Sequence, residues 1–102
     1  MMITCDFAIL PVGTQTSECK DYVTAAVQSV EDSGLSYRLT GMGTQIEANS
    51  LDELYSVISD AQEAVFELGA GRVYTVIKID DRRDLKNRTL DSKVKSVEKM
   101  LK

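Results

Sequence analysis

The sequence contains no histidine, only two cysteines and a single proline in 102 residues. Without histidine, Ser-His-Asp and Cys-His catalysis are excluded and the commonest metal ligand is missing. Two isolated cysteines cannot complete a zinc site, so neither a metal nor another cofactor is expected. Cys5 and Cys19 fall on an expected core strand and on the first turn of an expected helix, which favours buried thiols over a disulfide. No apolar run approaches the roughly 20 residues that span a bilayer. The opening Met1-Met2-Ile3-Thr4-Cys5-Asp6 lacks the basic region of a signal peptide. A cytoplasmic location and no membrane partner are therefore expected. An excess of positive charge is missing too: the formal net charge is −4. That disfavours nucleic acid, whose sequence-independent affinity comes from Lys and Arg neutralising phosphates. Basic residues gather between Lys78 and Lys102, but Asp80, Asp81, Asp84, Asp91 and Glu98 largely cancel them.

What is present is the composition of a folded chain, 43% hydrophobic and 27% charged, with a length suited to one layered core. One domain over residues 1–102 is expected. From Ile3 to Leu10, Ile3, Cys5, Phe7 and Ile9 alternate with Thr4, Asp6, Ala8 and Leu10, the period of a strand. Pro11 cannot donate to a ladder, so pairing is expected to stop there, with a loop through Thr14, Gln15 and Thr16. Ser17 is a candidate N-cap, with Glu18 in the first turn of a helix whose stripe is Cys19, Val23, Ala26, Val27 and Val30. Gly34 ends it, as a left-handed residue would.

Leu35–Thr40 and Thr44–Ala48 read as a hairpin about Gly41-Met42-Gly43. Ser50-Leu51-Asp52-Glu53 is a capping box. It opens a helix with the stripe Leu54, Ile58, Ala61, Val65 and Leu68, left at Gly69 and Gly71. Arg72–Ile79 is a β-branched strand. A charged loop, Asp80 to Asp84, leads to a last helix capped near Thr89, with the stripe Leu90, Val94, Val97 and Leu101.

The order β-α-β-β-α-β plus one C-terminal helix defines an α+β, ferredoxin-like fold. Right-handed crossovers put both main helices on one sheet face. If Ile3, Cys5, Phe7, Leu39, Ile46, Val73 and Ile77 face the helices, Ala8, Leu10, Tyr74 and Val76 are left on the other side. Such a patch predicts a homo-oligomer, dimer or tetramer, built through sheet faces and edges. The alternative is a third helix folded back over its own sheet in a monomer.

Candidate chemistry is sparse, and no catalytic constellation is present. Gly41-Met42-Gly43 lacks the helix and lysine of a P-loop. It reads either as a turn needing positive φ or as backbone left bare for the approach of a ligand or a subunit. Asp80 and Asp81, adjacent on a strand end, point apart, and Arg82 and Arg83 compete for them, so a solvated ion-pair cluster is expected rather than a cation site. Among the tyrosines, Tyr74 is the candidate for stacking on a ring, since it shares the open face with Arg72.

Three segments carry a resemblance: Ile9-Leu10-Pro11-Val12-Gly13-Thr14, the hairpin YRLTGMGTQIEA from Tyr37 to Ala48, and VYTVIKIDDRR from Val73 to Arg83. Together they resemble the small thiamine-binding protein family related to YkoF, over essentially the whole chain. The resemblance implies a ferredoxin-like subunit that assembles into dimers or tetramers. It also implies binding of thiamine or its hydroxymethylpyrimidine part without chemistry, in vitamin salvage. YkoF carries two such units in one chain, so a paired site here would come from self-association. On that footing Thr14, Thr44 and Glu47 supply polar contacts. Met42, Gly43 and Tyr74 supply the wall and bare backbone, and Asp80 or Asp81 faces the thiazolium. A second reading is an anion-responsive regulatory or assembly module in which Arg72, Arg82 and Arg83 gather phosphate or sulfate at subunit junctions. An acylphosphatase-type enzyme ranks last, because Pro11-Val12-Gly13-Thr14-Gln15-Thr16-Ser17 contains no arginine.

Overall fold

The computed structural model describes residues 2–14, 18–86 and 88–102. The expected N-cap, Ser17, and the loop residues Gln15 and Thr16 lie outside them. The elements run β1 (Ile3–Pro11), α1 (Lys20–Asp32), β2 (Tyr37–Leu39), β3 (Thr44–Ala48), α2 (Leu51–Glu67), β4 (Val73–Asp81) and α3 (Leu90–Glu98). The strands form one antiparallel sheet in the order β2-β3-β1-β4. This is the ferredoxin-like arrangement expected from the sequence.

The core forms because the odd residues of β1 point at the helices. Ile3, Cys5, Phe7 and Ile9 are buried with Ile46 and Ala48 of β3, Ala26 and Val30 of α1, and Leu54, Val57, Ile58, Ala61 and Val65 of α2. Burial also pushes the Cys5 thiol up to about 11, with the Asp6 carboxylate beside it adding to the effect. At neutral pH it is a protonated core group and a poor nucleophile.

Several expectations shift by a turn or a residue. Pairing continues through Pro11, opposite Val73, and Val12 N–H donates to the Arg72 carbonyl at 2.8 Å. Because N–H directions alternate along a strand, the Pro11 nitrogen points away from β4. It points to the side where the ladder with β3 has already ended at Phe7 and Thr44, so its missing proton costs no bond. Helix α1 starts at Lys20, which leaves Glu18 before the helix and Asp21 as the acid of its first turn. In the Ser50 cap the hydroxyl accepts from Glu53 N–H at 3.1 Å, but the Glu53 carboxylate turns back to Asn49 N–H at 3.0 Å. Leu68 is exposed and Val57 takes a core place instead, since α2 ends at Glu67 and Leu68 is its C-cap. Leu39 and Ile77 sit on the helix side yet are 57% and 42% exposed, because β2 and β4 are the edge strands.

The other sheet face is divided. One half, Ala8, Leu10, Tyr74 and Val76, is apolar, with Leu10, Tyr74 and Val76 at 45%, 57% and 52% exposure. The other half, Thr4, Asp6, Gln45, Glu47, Lys78 and Asp80, is polar. Helix α3 comes back over the polar half only. It is capped by Thr89, whose hydroxyl accepts from Ser92 N–H at 3.0 Å while Ser92 Oγ accepts from Thr89 N–H at 3.0 Å. A latch holds it: Lys93 Nζ ion-pairs with Asp80 and donates to Thr4 Oγ1 at 2.6 Å. No residue of α3 is buried, so apolar packing contributes little to its docking. The hydrogen bond from Lys93, reinforced by its charge, holds the Asp80 carboxyl below the usual carboxylate range. A carboxyl with a lowered folded-state pKa contributes stability above its unfolded value and loses it as pH falls through the folded one. Acidification below the ordinary carboxylate range should therefore release α3. Hydrogen exchange should show the α3 amides losing protection there while the β1 and β4 amides keep theirs. Lys93→Met should reproduce that loss at neutral pH, and unchanged α3 protection would rule the latch out.

Candidate functional site

A cavity of about 130 Å³ lies on the helix side, between α1, the end of β1 and the β2–β3 turn. Its walls are Phe7, Ile9, Val23 and Val27, and its rim is Gly41, Met42 and Gly43. It exists because β1 is longer than its neighbour. β3 begins at Thr44, opposite Phe7, whereas β1 runs on through Pro11. The alternation that turns the Pro11 nitrogen away from β4 also turns the N–H and C=O of Ile9 toward this gap. No strand residue pairs with Ile9 on that side among the described residues. The cavity thus offers one backbone donor and one acceptor on an otherwise apolar wall, the pattern of a small-molecule pocket. Its volume suits one ring rather than a whole drug-sized ligand.

The turn is fixed by a residue that hydrophobic periodicity did not single out. Thr40 Oγ1 donates to the Gly43 carbonyl at 2.8 Å and accepts from the N–H groups of Gly43 and Met42 at 3.1 and 3.3 Å. The signal was a threonine just before a Gly-X-Gly turn, where a hydroxyl can replace backbone partners. Neither Gly41 nor Gly43 has positive φ, so the expected conformational reason for these glycines does not hold. At Gly43 the reason is space: a Cβ there would stand 2.7 Å from Asp6 Oδ1 and 3.0 Å from the Phe7 carbonyl oxygen.

The residues picked out from the sequence divide among several surfaces. Met42, Gly43 and Thr44 line the hairpin cavity, Met42 at its mouth with 91% exposure and Thr44 buried. Thr44 and Glu47 are an odd number apart on one strand, so Thr44 faces the helices with Phe7 and Glu47 lies beside Thr4 on the open face. Tyr74 is on the open face beside Leu10, and Leu10 also lines the cavity. Thr14 borders another hollow, with Tyr22 and the Gly69–Gly71 segment.

Asp81 holds Arg83 through Nε and Nη2 at 2.9–3.2 Å, and Arg82 forks onto Asp84 at 2.6 and 3.1 Å. The hydrogen bond from Arg82 lowers the Asp84 pKa. Asp80 is taken by Lys93. The carboxylates at the end of β4 therefore point apart and form an ion-pair cluster, as expected, with Lys93 as the partner that sequence spacing did not reveal. Among the described residues no group of three or more Cys, Asp or Glu is placed to hold a metal ion. No helix among them is long and apolar enough to cross a membrane.

A ferredoxin-like α+β protein with a small cavity at a strand end and one half of its sheet uncovered is the class that these features define. Residues 5–98 match the family described as thiamine-binding protein. The chain belongs to that family. It is similar to a UPF0045 protein of Methanothermobacter thermautotrophicus, 44% identical over 98% of this chain and 100% of that one. It is also similar to the UPF0045 protein YqgV of Bacillus subtilis, 42% identical over 98% of both chains. Among solved structures it is similar to hypothetical protein MJ1052 of Methanocaldococcus jannascii, with TM-score 0.85, 28% identity, and coverage of 95% and 96% of the two chains. The Thermotoga maritima protein TM0486, for which a role in thiamine biosynthesis or salvage has been proposed, shares the fold at TM-score 0.81 and 15% identity, over 95% and 99% of the chains.

Proposed function

We propose that this protein is a non-catalytic, cytoplasmic binding protein of vitamin salvage that takes thiamine or its hydroxymethylpyrimidine part in the hairpin cavity of a homo-oligomer. The observation that carries the reading is the free peptide edge of Ile9 beside the Thr44 hydroxyl in a ring-sized apolar cavity. An aminopyrimidine presents a donor and acceptors on one edge and two apolar faces. The Ile9 N–H and C=O match that edge, and Phe7, Val23 and Val27 match the faces. Family membership supports the same ligand class.

The thiazolium half of thiamine is too large for the cavity and must extend past Met42. Leu10 joins the cavity to the uncovered apolar half of the sheet, so a second copy packed on that half would complete the site. Tyr74 would then come from the neighbouring copy's apolar half as a surface for the cation, while Glu47, on the polar half beside Thr4, stays outside that junction. Asp81 and Thr14 lie at the periphery of this arrangement. The anion-responsive reading gains no such support, because Arg82 and Arg83 already have their guanidinium forks on carboxylates.

The test is a thermal-shift series with thiamine, hydroxymethylpyrimidine and the thiamine phosphates. Ligand at about 100 times its Kd should stabilise the fold by about 2.7 kcal/mol. Thr44→Val, which removes a hydroxyl at nearly constant volume, should weaken every pyrimidine-bearing ligand at least tenfold. A flat response to all of these compounds would dispose of the proposal.

A further inference from the structure

A separate hollow of about 410 Å³ lies on the opposite side of the sheet, between its polar half and α3. Its floor is two ladder rows, Gln45, Asp6 and Lys78 in one and Thr4 and Asp80 in the next. Lys93 forms a wall, and Leu90 and Val94 of α3 supply an apolar roof. It shares no lining residue with the hairpin cavity.

The hydrogen bonding of this hollow is incomplete. Thr4 is 3% exposed, and its hydroxyl accepts from Lys93 Nζ. An ammonium has no lone pair, so the hydroxyl's own hydrogen finds no acceptor among the described residues, in a place where water reaches it poorly. Lys93 uses two of its three N–H groups, on Thr4 and Asp80. Lys78 makes no ion pair among the described residues. On the other side, Gln45 Nε2 donates to Asp6 Oδ2 at 3.3 Å, which leaves the Gln45 carbonyl and further lone pairs of Asp6 as acceptors. Unused donors therefore come from Lys78, Lys93 and the Thr4 hydroxyl, and unused acceptors from Gln45 and Asp6.

We propose that this hollow is a second binding site, for a small zwitterion of the α-amino-acid class with an apolar side chain. Two carboxylates and two ammonium groups make the lining formally neutral. A bare anion would face Asp6 and Asp80, and a bare cation would face Lys78 and Lys93. A molecule carrying both charges answers both sides: its carboxylate takes Lys78, the Thr4 hydroxyl and the third N–H of Lys93, and its ammonium takes Asp6 and the Gln45 carbonyl. The side chain lies under Leu90 and Val94. The volume falls within the usual range for small-ligand pockets, about 300–1,000 Å³. Because α3 supplies the roof and one wall, occupancy also ties α3 to the sheet.

The test is an amide NMR titration of the full chain with the proteinogenic amino acids, one at a time and at roughly millimolar concentration. At least one aliphatic member should shift the amides of Thr4, Asp6 and Lys93. Its decarboxylated amine should not do so. Lys78→Met, an exposed substitution on an edge strand, should raise the Kd of that amino acid at least tenfold, and Asp6→Asn should do likewise. Thiamine binding should be untouched by Lys78→Met, so the two sites fail or stand separately. No shift of those amides by any amino acid, or wild-type affinity in Lys78→Met, would overturn the proposal.

Discussion

Leu54→Ala should lower the unfolding free energy by about 2–5 kcal/mol, read from the midpoint of a urea or guanidinium transition at unchanged slope. Leu54 is 0% exposed and sits on the first turns of α2, in the cluster with Ile3, Ile46 and Val65. Truncation removes three heavy carbons from a site that the surrounding strands cannot collapse to fill. The cost is therefore a lost transfer energy plus a cavity. For a domain of ordinary stability, about 5–15 kcal/mol, that is a large fraction of the total. Leu68→Ala at the C-cap of the same helix should cost a few tenths of a kcal/mol, about what exposed positions show, because Leu68 is 51% exposed. Equal losses at the two positions would contradict the packing described above.

The second large effect concerns assembly. Leu10→Asp combined with Val76→Asp should convert the proposed oligomer to a monomer, seen as a fall in solution mass by sedimentation or light scattering, with thermal stability of the chain largely kept. The two side chains are next-row neighbours on the uncovered half of the sheet and are about half exposed in the isolated subunit. New carboxylates there would be hydrated in a monomer and desolvated without a partner at an interface. Thiamine affinity should fall in the same variant, since the cavity opens beside Leu10. A wild-type chain that sediments as a monomer, or a doubly substituted one that keeps its oligomeric mass, would remove the subunit junction from the proposed site. The hairpin cavity itself would then be judged by Thr44→Val.

Periodicity carried the element order and the sidedness of β1. Alternation over Ile3–Leu10 and the three-four spacing of Leu54, Ile58, Ala61 and Val65 reflect backbone geometry, which each segment has on its own. The caps at Ser50 and Thr89 were legible for the same reason, since a cap involves residues only three or four apart. The family, too, could be read from the hairpin and the Val73–Arg83 segment. The site was legible only in part. Gly41-Met42-Gly43 marked the turn at the rim of the hairpin cavity, but of the two reasons offered for its glycines, positive φ does not hold. At Gly43 a Cβ would crowd Asp6 and the Phe7 carbonyl, which are more than thirty positions away in the chain.

Sequence alone therefore determined what depends on short-range geometry: the order of strands and helices, the buried side of β1, and the absence of histidine-based chemistry. Tertiary structure decided which distant groups share a surface. It set the register that leaves Ile9 without a β3 partner, the opposite facings of Thr44 and Glu47, and the return of Lys93 to Asp80 and Thr4. The physical reason is that a ladder register and a helix docking depend on contacts between segments tens of residues apart. A shift of one residue in either would exchange the faces while leaving every local pattern intact.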